Sequence, residues 1–92
     1  MDLSDWRRKI DEVDEKVLAL LNERAGYVLN LAPLKRQQQV PIYEPNRERE
    51  VIDNMRSRNQ GPLGDEAVRH IFEAIMAEMR AVQVMDADRG KD

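Results

Sequence analysis

The longest helical pattern in the sequence, from about Ser4 to Gln38, constrains the fold more than any other feature. Ile10, Val13, Val17, Leu20, Leu21, Val28 and Leu31 fall at three- and four-residue spacing along one face. A helix of that length spans ~50 Å at about 1.5 Å per residue. A compact chain of 92 residues has a radius of gyration of ~12 Å, hence a diameter of roughly 30 Å. Much of the stripe therefore projects into water unless a second chain covers it, and a homodimer built on this helix is the expectation. Pro33 removes the hydrogen bond to the carbonyl of Leu29 and is expected to kink or break the helix. The segment ahead of it still spans ~44 Å, so the dimer expectation survives a break.

Ser4 or Asp5 is the predicted N-cap of this first helix. Two stretches rich in Pro and Gly, Gln37 to Pro45 and Asn59 to Gly64, then punctuate the chain. Between them, Pro45 to Arg58 reads as a mostly polar helix with Val51, Ile52 and Met55 as its apolar stripe, and Pro45 suits its first turn. A third helix is expected from an Asp65 N-cap to about Asp86, with Val68, Ile71, Phe72, Ile75, Met76, Met79 and Val82 facing inward. No segment alternates with period two, so the expected fold is all-α, a three-helix protomer forming one domain over residues 1–92.

Composition removes most familiar chemistries. There is no cysteine, hence no disulfide framework, thiolate metal site or thiol nucleophile. A single histidine, His70, argues against a histidine metal cluster or a Ser-His triad. The net charge of −3 argues against a nucleic-acid partner. No apolar run approaches the ~20 residues of a membrane span. The first residues, Met1 to Asp5, lack the basic start and apolar stretch of a signal peptide, and a cytoplasmic location is expected.

Charges stand where the first helix should be apolar. With Arg7 at heptad position a, the a positions are Arg7, Asp14, Leu21, Val28 and Lys35, and the d positions are Ile10, Val17, Arg24 and Leu31. Arg and Lys can snorkel from such a seam or pair with a carboxylate across it, and the heptad count drifts on a straight helix. Three cations together on one apolar face are better explained by a buried anion site, since an anionic ligand compensates cations that are costly to bury alone. Arg24 and Lys35 lie eleven residues apart, ~16 Å along the axis, and their long side chains can bracket a small dianion. Arg7 is ~25 Å from Arg24 and cannot join that site in the same chain. An antiparallel partner helix could supply its own Arg7.

Elsewhere the signals are weaker. Arg47-Glu48-Arg49-Glu50 reads as a solvated helix face. Gln83 follows Met79 by four residues and falls in line with the apolar stripe of the third helix. As a buried amide it must be hydrogen-bonded, either to a backbone group or to a ligand. His70 is expected to be exposed, and Trp6 and Tyr27 to be packing residues.

Taken together, these residues make the chain resemble the all-helical class of chorismate mutases over essentially its whole length. The matching stretches are Trp6 to Asp14, Leu20 to Arg24, Lys35, Pro41 to Glu48, and Ile71 to Met76 through Gln83. The arginine before Ile-Asp, the Glu-Arg, the lysine eleven residues on, the Arg-Glu and the late glutamine occur in the order and spacing of the family. The resemblance implies an intertwined homodimer with two identical sites. It also implies the rearrangement of chorismate to prephenate, a step toward phenylalanine and tyrosine. That reaction is unimolecular and calls for no cofactor or metal.

By position, the resemblance implies that Arg24 and the second chain's Arg7 bind the two substrate carboxylates, with Arg47 nearby. Lys35 would contact the ether oxygen and a carboxylate, and Gln83 would donate to the same ether oxygen. Glu48 would accept from the ring hydroxyl. Three positions depart from the pattern: Glu44 stands where the family often has Asp, Met79 where some members have a small polar residue, and Pro33 where a regular helix usually continues. An isochorismate-pyruvate lyase of the same fold is the first alternative, and the Arg47-Glu48 pair favours the mutase. A non-catalytic helical dimerisation or regulatory module is the second, and it would have no need of inward cations.

Overall fold

Asp2, ahead of both expected caps, starts the first helix. Its side chain accepts from the Asp5 amide at 3.0 Å, and the Asp5 carboxylate accepts from the Asp2 amide at 3.1 Å. The two form a reciprocal capping box. The computed structural model describes residues 1–89, as α1 (Leu3–Gln37), α2 (Pro45–Arg58) and α3 (Asp65–Arg89). Among the described residues there is no strand, in agreement with the all-α expectation.

α1 continues through Pro33 without a break, contrary to one branch of the expectation. Proline there deletes one hydrogen bond, and it does so in the last turn and a half, so the flanking bonds hold the helix together. α1 ends in a Schellman turn. The Gln39 amide donates to the Arg36 carbonyl at 3.2 Å and the Val40 amide to the Lys35 carbonyl at 2.8 Å. Gln39 takes the left-handed conformation this turn requires, with φ of 59°.

Pro45 occupies the first turn of α2, and Arg56 and Arg58 stand in its last turn, where they complement the helix dipole. Asp65 is the first residue of α3 and not its cap; the Gly64 carbonyl accepts the Val68 amide at 3.1 Å. α3 runs beyond the expected end at Asp86 to Arg89, and no Gly or Pro intervenes.

α3 packs against both α1 and α2 and forms the centre of the fold. Its buried side chains are Val68, Met76, Met79 and Gln83, and those of α1 are Ala32 and Lys35. The molecule measures 53 × 30 × 15 Å with a radius of gyration of 16.4 Å, well above the ~12 Å of a compact chain this long. The excess is the N-terminal part of α1, where Trp6, Ile10, Val13, Val17 and Leu20 are all exposed. Among the described residues no helix is long and apolar enough to cross a membrane.

Candidate active site

Lys35 is the buried cation around which the site is built. Its side chain leaves the last turn of α1 beneath the returning chain of the Schellman turn. The Nζ donates to the Ile42 carbonyl at 3.1 Å and to Oε1 of Gln83 at 3.4 Å. It also stands 3.0 Å from Oε2 of Glu44. These three acceptors match the three donors of an ammonium. Gln83 reaches this point from α3, and its Nε2 donates to the Met79 carbonyl at 3.3 Å. That bond uses one of the two amide hydrogens and leaves the other for a ligand.

A cavity of about 320 Å³ opens beside Lys35, between α1, α3 and the start of α2. This lies at the small end of the ~300–1,000 Å³ typical of ligand sites. Arg24, Lys35, Glu44, Arg47, Glu48, Met79 and Gln83 all line it. Seven of the eight residues expected from the sequence therefore converge. Arg7 does not: it is exposed on the N-terminal part of α1 and is not among the lining residues. Val28, Leu31, Val51 and Met76 supply the apolar wall.

Two lining residues carry polar chemistry not expected from the sequence. Arg80, on α3, donates from Nη1 to Oε1 of Glu48 across the α2–α3 junction, and its guanidinium lies 5.1 Å from the centroid of the Tyr43 ring. The hydrogen bond to Glu48 is the main reason its pKa is raised above the usual arginine value. Its position three residues before Gln83 places it on the same helix face, which is the signal that could have found it. Tyr27, expected as a packing residue, is exposed at the cavity edge and donates to Oε1 of Glu23 at 3.3 Å. Trp6 is likewise exposed in the single chain, and so is His70, as expected.

The cavity wall carries four cations and two carboxylates. Three of the cations are matched: Lys35 by Glu44, Arg80 by Glu48, and Arg47 by Glu50 at 2.7 Å. Arg24 is half-buried and has no ion pair or side-chain hydrogen bond among the described residues. The single chain thus offers an anion one uncommitted guanidinium, next to a buried lysine and a buried amide.

The arrangement has close counterparts. The family profile described as chorismate mutase type II matches residues 6–84. A chorismate mutase of Methanocaldococcus jannaschii is 34% identical over 82 residues, covering 88% of this chain and 83% of that protein. A bifunctional chorismate mutase/prephenate dehydratase of Aquifex aeolicus is 35% identical over 80 residues, covering 83% of this chain and 22% of that protein. The chain spans about a fifth to a quarter of the length of the bifunctional relatives it matches. The crystal structure of chorismate mutase from Helicobacter pylori in complex with prephenate superposes with a TM-score of 0.86 at 28% identity. The superposition covers 94% of this chain and 93% of that one. Chorismate mutase from Thermus thermophilus (form II) gives a TM-score of 0.85 at 30% identity, covering 88% and 92% of the two chains. Sequence and fold agree over nearly the whole chain: it belongs to the chorismate mutase type II family.

Proposed function

We propose that this chain converts chorismate to prephenate, as a homodimer whose two sites each take an arginine from the other subunit. The observation that carries the reading is the convergence of Arg24, Lys35 and Gln83 on one cavity with an apolar wall. The rearrangement breaks a C–O bond and forms a C–C bond within one molecule. It needs the side chain held over the ring, which is catalysis by orientation. It also needs donors aimed at the ether oxygen, where negative charge grows in the transition state.

In this reading Arg24 binds one substrate carboxylate. Lys35 donates to the ether oxygen and to a carboxylate, exchanging a protein acceptor for the substrate. Gln83 donates its remaining amide hydrogen to the same oxygen. Arg47 adds positive charge at the mouth, Glu48 accepts from the ring hydroxyl, and Glu44 and Met79 shape the remaining wall. The second carboxylate needs a second cation, and Arg24 is the only uncommitted one in the wall among the described residues. Arg7 of a second copy, laid antiparallel along the exposed stripe of α1, would supply it. That the chain is one such domain, and that it works in the cytoplasm, belong to the same proposal.

The test is direct. Purified protein is mixed with chorismate, the loss of chorismate absorbance is followed in the ultraviolet, and the product is identified by NMR. Prephenate is the expected product. Turnover of isochorismate with release of pyruvate, and none of chorismate, would assign the lyase reaction instead. No turnover of either would leave the non-catalytic dimerisation or regulatory module.

A further inference from the structure

Arg80 is a cation of the cavity wall that neither the seam of α1 nor the family resemblance accounts for. It leaves α3 one turn before Gln83 and bonds Glu48 on α2. Tyr43, in the segment joining α1 and α2, lies under the guanidinium at 5.1 Å. The two side chains of the ion pair are largely covered, at 33% and 21% exposure for Arg80 and Glu48. Both side chains line the cavity and also a second groove, which Tyr43 lines as well.

The segment from Ile42 to Glu44 serves both buried cations. The Ile42 carbonyl and the Glu44 carboxylate face Lys35, while the intervening Tyr43 side chain faces Arg80. Arg80 is thereby held from two directions, by a ring and by a carboxylate.

Glu48 presents a difficulty for an anion site. A carboxylate in the wall repels a dianionic substrate, and a glutamate side chain with several free torsions does not hold one orientation unaided. Arg80 answers both points. Its charge offsets that of Glu48, and its bond to Oε1 fixes the side chain and leaves Oε2 for a hydroxyl donor.

We propose that Arg80 is a positioning residue for the mutase reaction, holding and neutralising Glu48 so that this carboxylate can receive the substrate's ring hydroxyl without repelling its carboxylates. The inference rests on the mutase reading above. It makes Tyr43 a support for Arg80, acting through the face of its ring.

The experiment is a double-mutant cycle in the full chain, reading kcat and KM for chorismate in wild type, Arg80→Met, Glu48→Gln and the double variant. Arg80→Met is expected to lower kcat/KM by about ten- to a hundredfold, the range for losing a charged hydrogen-bond partner. Most of the change should fall on KM, because the substrate carboxylates are present in the ground state. In the Glu48→Gln background the same substitution should cost less than about threefold, since the charge to be neutralised is gone. Arg80→Lys should restore part of the loss, and Tyr43→Phe should match wild type while Tyr43→Leu does not. Equal costs of Arg80→Met in the two backgrounds would overturn the proposal and make Arg80 a direct substrate contact or a purely structural residue. Far-ultraviolet circular dichroism checks folding, and Arg80→Gln takes the place of Arg80→Met if the latter does not fold. A wild-type protein that leaves chorismate unchanged overturns the mutase reading and this inference with it; an active wild type with an additive cycle overturns this inference alone.

Discussion

The Lys35 ammonium stands 3.0 Å from the Glu44 carboxylate, with 9% of the lysine exposed. A buried cation without partners is costly, and here the protein itself supplies them through Glu44, Ile42 and Gln83. A substrate arriving at Lys35 must replace one of these acceptors. Glu44 is the one best placed to leave, since 35% of its side chain is open to solvent. Lys35 is therefore electrostatically satisfied by the protein and still able to exchange a partner.

If Lys35 faces the breaking C–O bond, losing its charge removes transition-state stabilisation. Lys35→Met is expected to lower kcat by about 10²–10³, the range for deleting one oxyanion donor. Steady-state kinetics with chorismate checks this, alongside circular dichroism for the fold. A loss of less than about tenfold would take Lys35 away from the reacting oxygen.

Lys35 and Arg24 were legible in the sequence because a charge on an apolar helical stripe is a local signal. Gln83 was legible for the same reason. Arg80 was less so: it shares a helix face with Gln83, but its meaning comes from Glu48 and Tyr43, 32 and 37 residues earlier in the chain. The helix starts show the same division. Ser4 and Asp5 are both good caps by type, but Asp2 wins because only it forms the reciprocal pair with Asp5. The cost of Pro33 is local, and the packing of α1 on α3 around Ala32 and Lys35 outweighs it.

The exposed stripe of α1 makes an obligate dimer the expected state. Ile10, Val13, Val17 and Leu20 are between 47% and 63% exposed in the single chain. Sedimentation at low micromolar concentration should give twice the 10.7 kDa chain mass. A folded, active monomer would contradict both the dimer and the shared site.

Site sharing makes a further demand. Arg7→Ala and Arg24→Ala should each be nearly inactive, because each leaves a substrate carboxylate without its charge partner. After subunit exchange, a mixed dimer has one site with both arginines intact and one with neither. Random exchange makes about half the dimers mixed, so roughly a quarter of wild-type sites should return in a symmetric dimer. No recovery after verified exchange would place both arginines on one chain's site, or outside it.

The turn after α1 can be improved without touching the cavity. Gln39 holds a φ of 59°, a conformation that side chains bearing a Cβ disfavour and glycine adopts readily. Gln39→Gly is expected to stabilise the fold by up to about 1 kcal/mol, which raises Tm by about 4–8 °C in a domain of this size. Gln39→Val should lower Tm, because a β-branched residue is a poor fit there. Thermal unfolding of the three proteins at one concentration decides the matter, and an order in which Val is the most stable would refute the Schellman reading.

Gln83 tests the chemistry at the ether oxygen. It is buried, at 6% exposure, with one amide hydrogen on the Met79 carbonyl and the other available to a ligand. Its amide donates at any ordinary pH. A carboxyl group in its place donates only when protonated, and when ionised it opposes the charge that grows on the oxygen. In the complex, burial and the substrate carboxylates both push that carboxyl's pKa above the ordinary value of about 4.3. Lys35 pulls the other way in the free protein, where it stands 3.4 Å from Oε1 of Gln83, so the effect should be clearest in kcat. Gln83→Glu is thus expected to be active at low pH, with kcat falling as pH rises through the raised pKa of the complex. The wild type should show no such fall, because an amide does not titrate. The measurement is kcat for both proteins across about pH 4.5 to 8. Parallel profiles would mean that Gln83 does not face the breaking bond, and its part in the proposed reaction would have to be withdrawn.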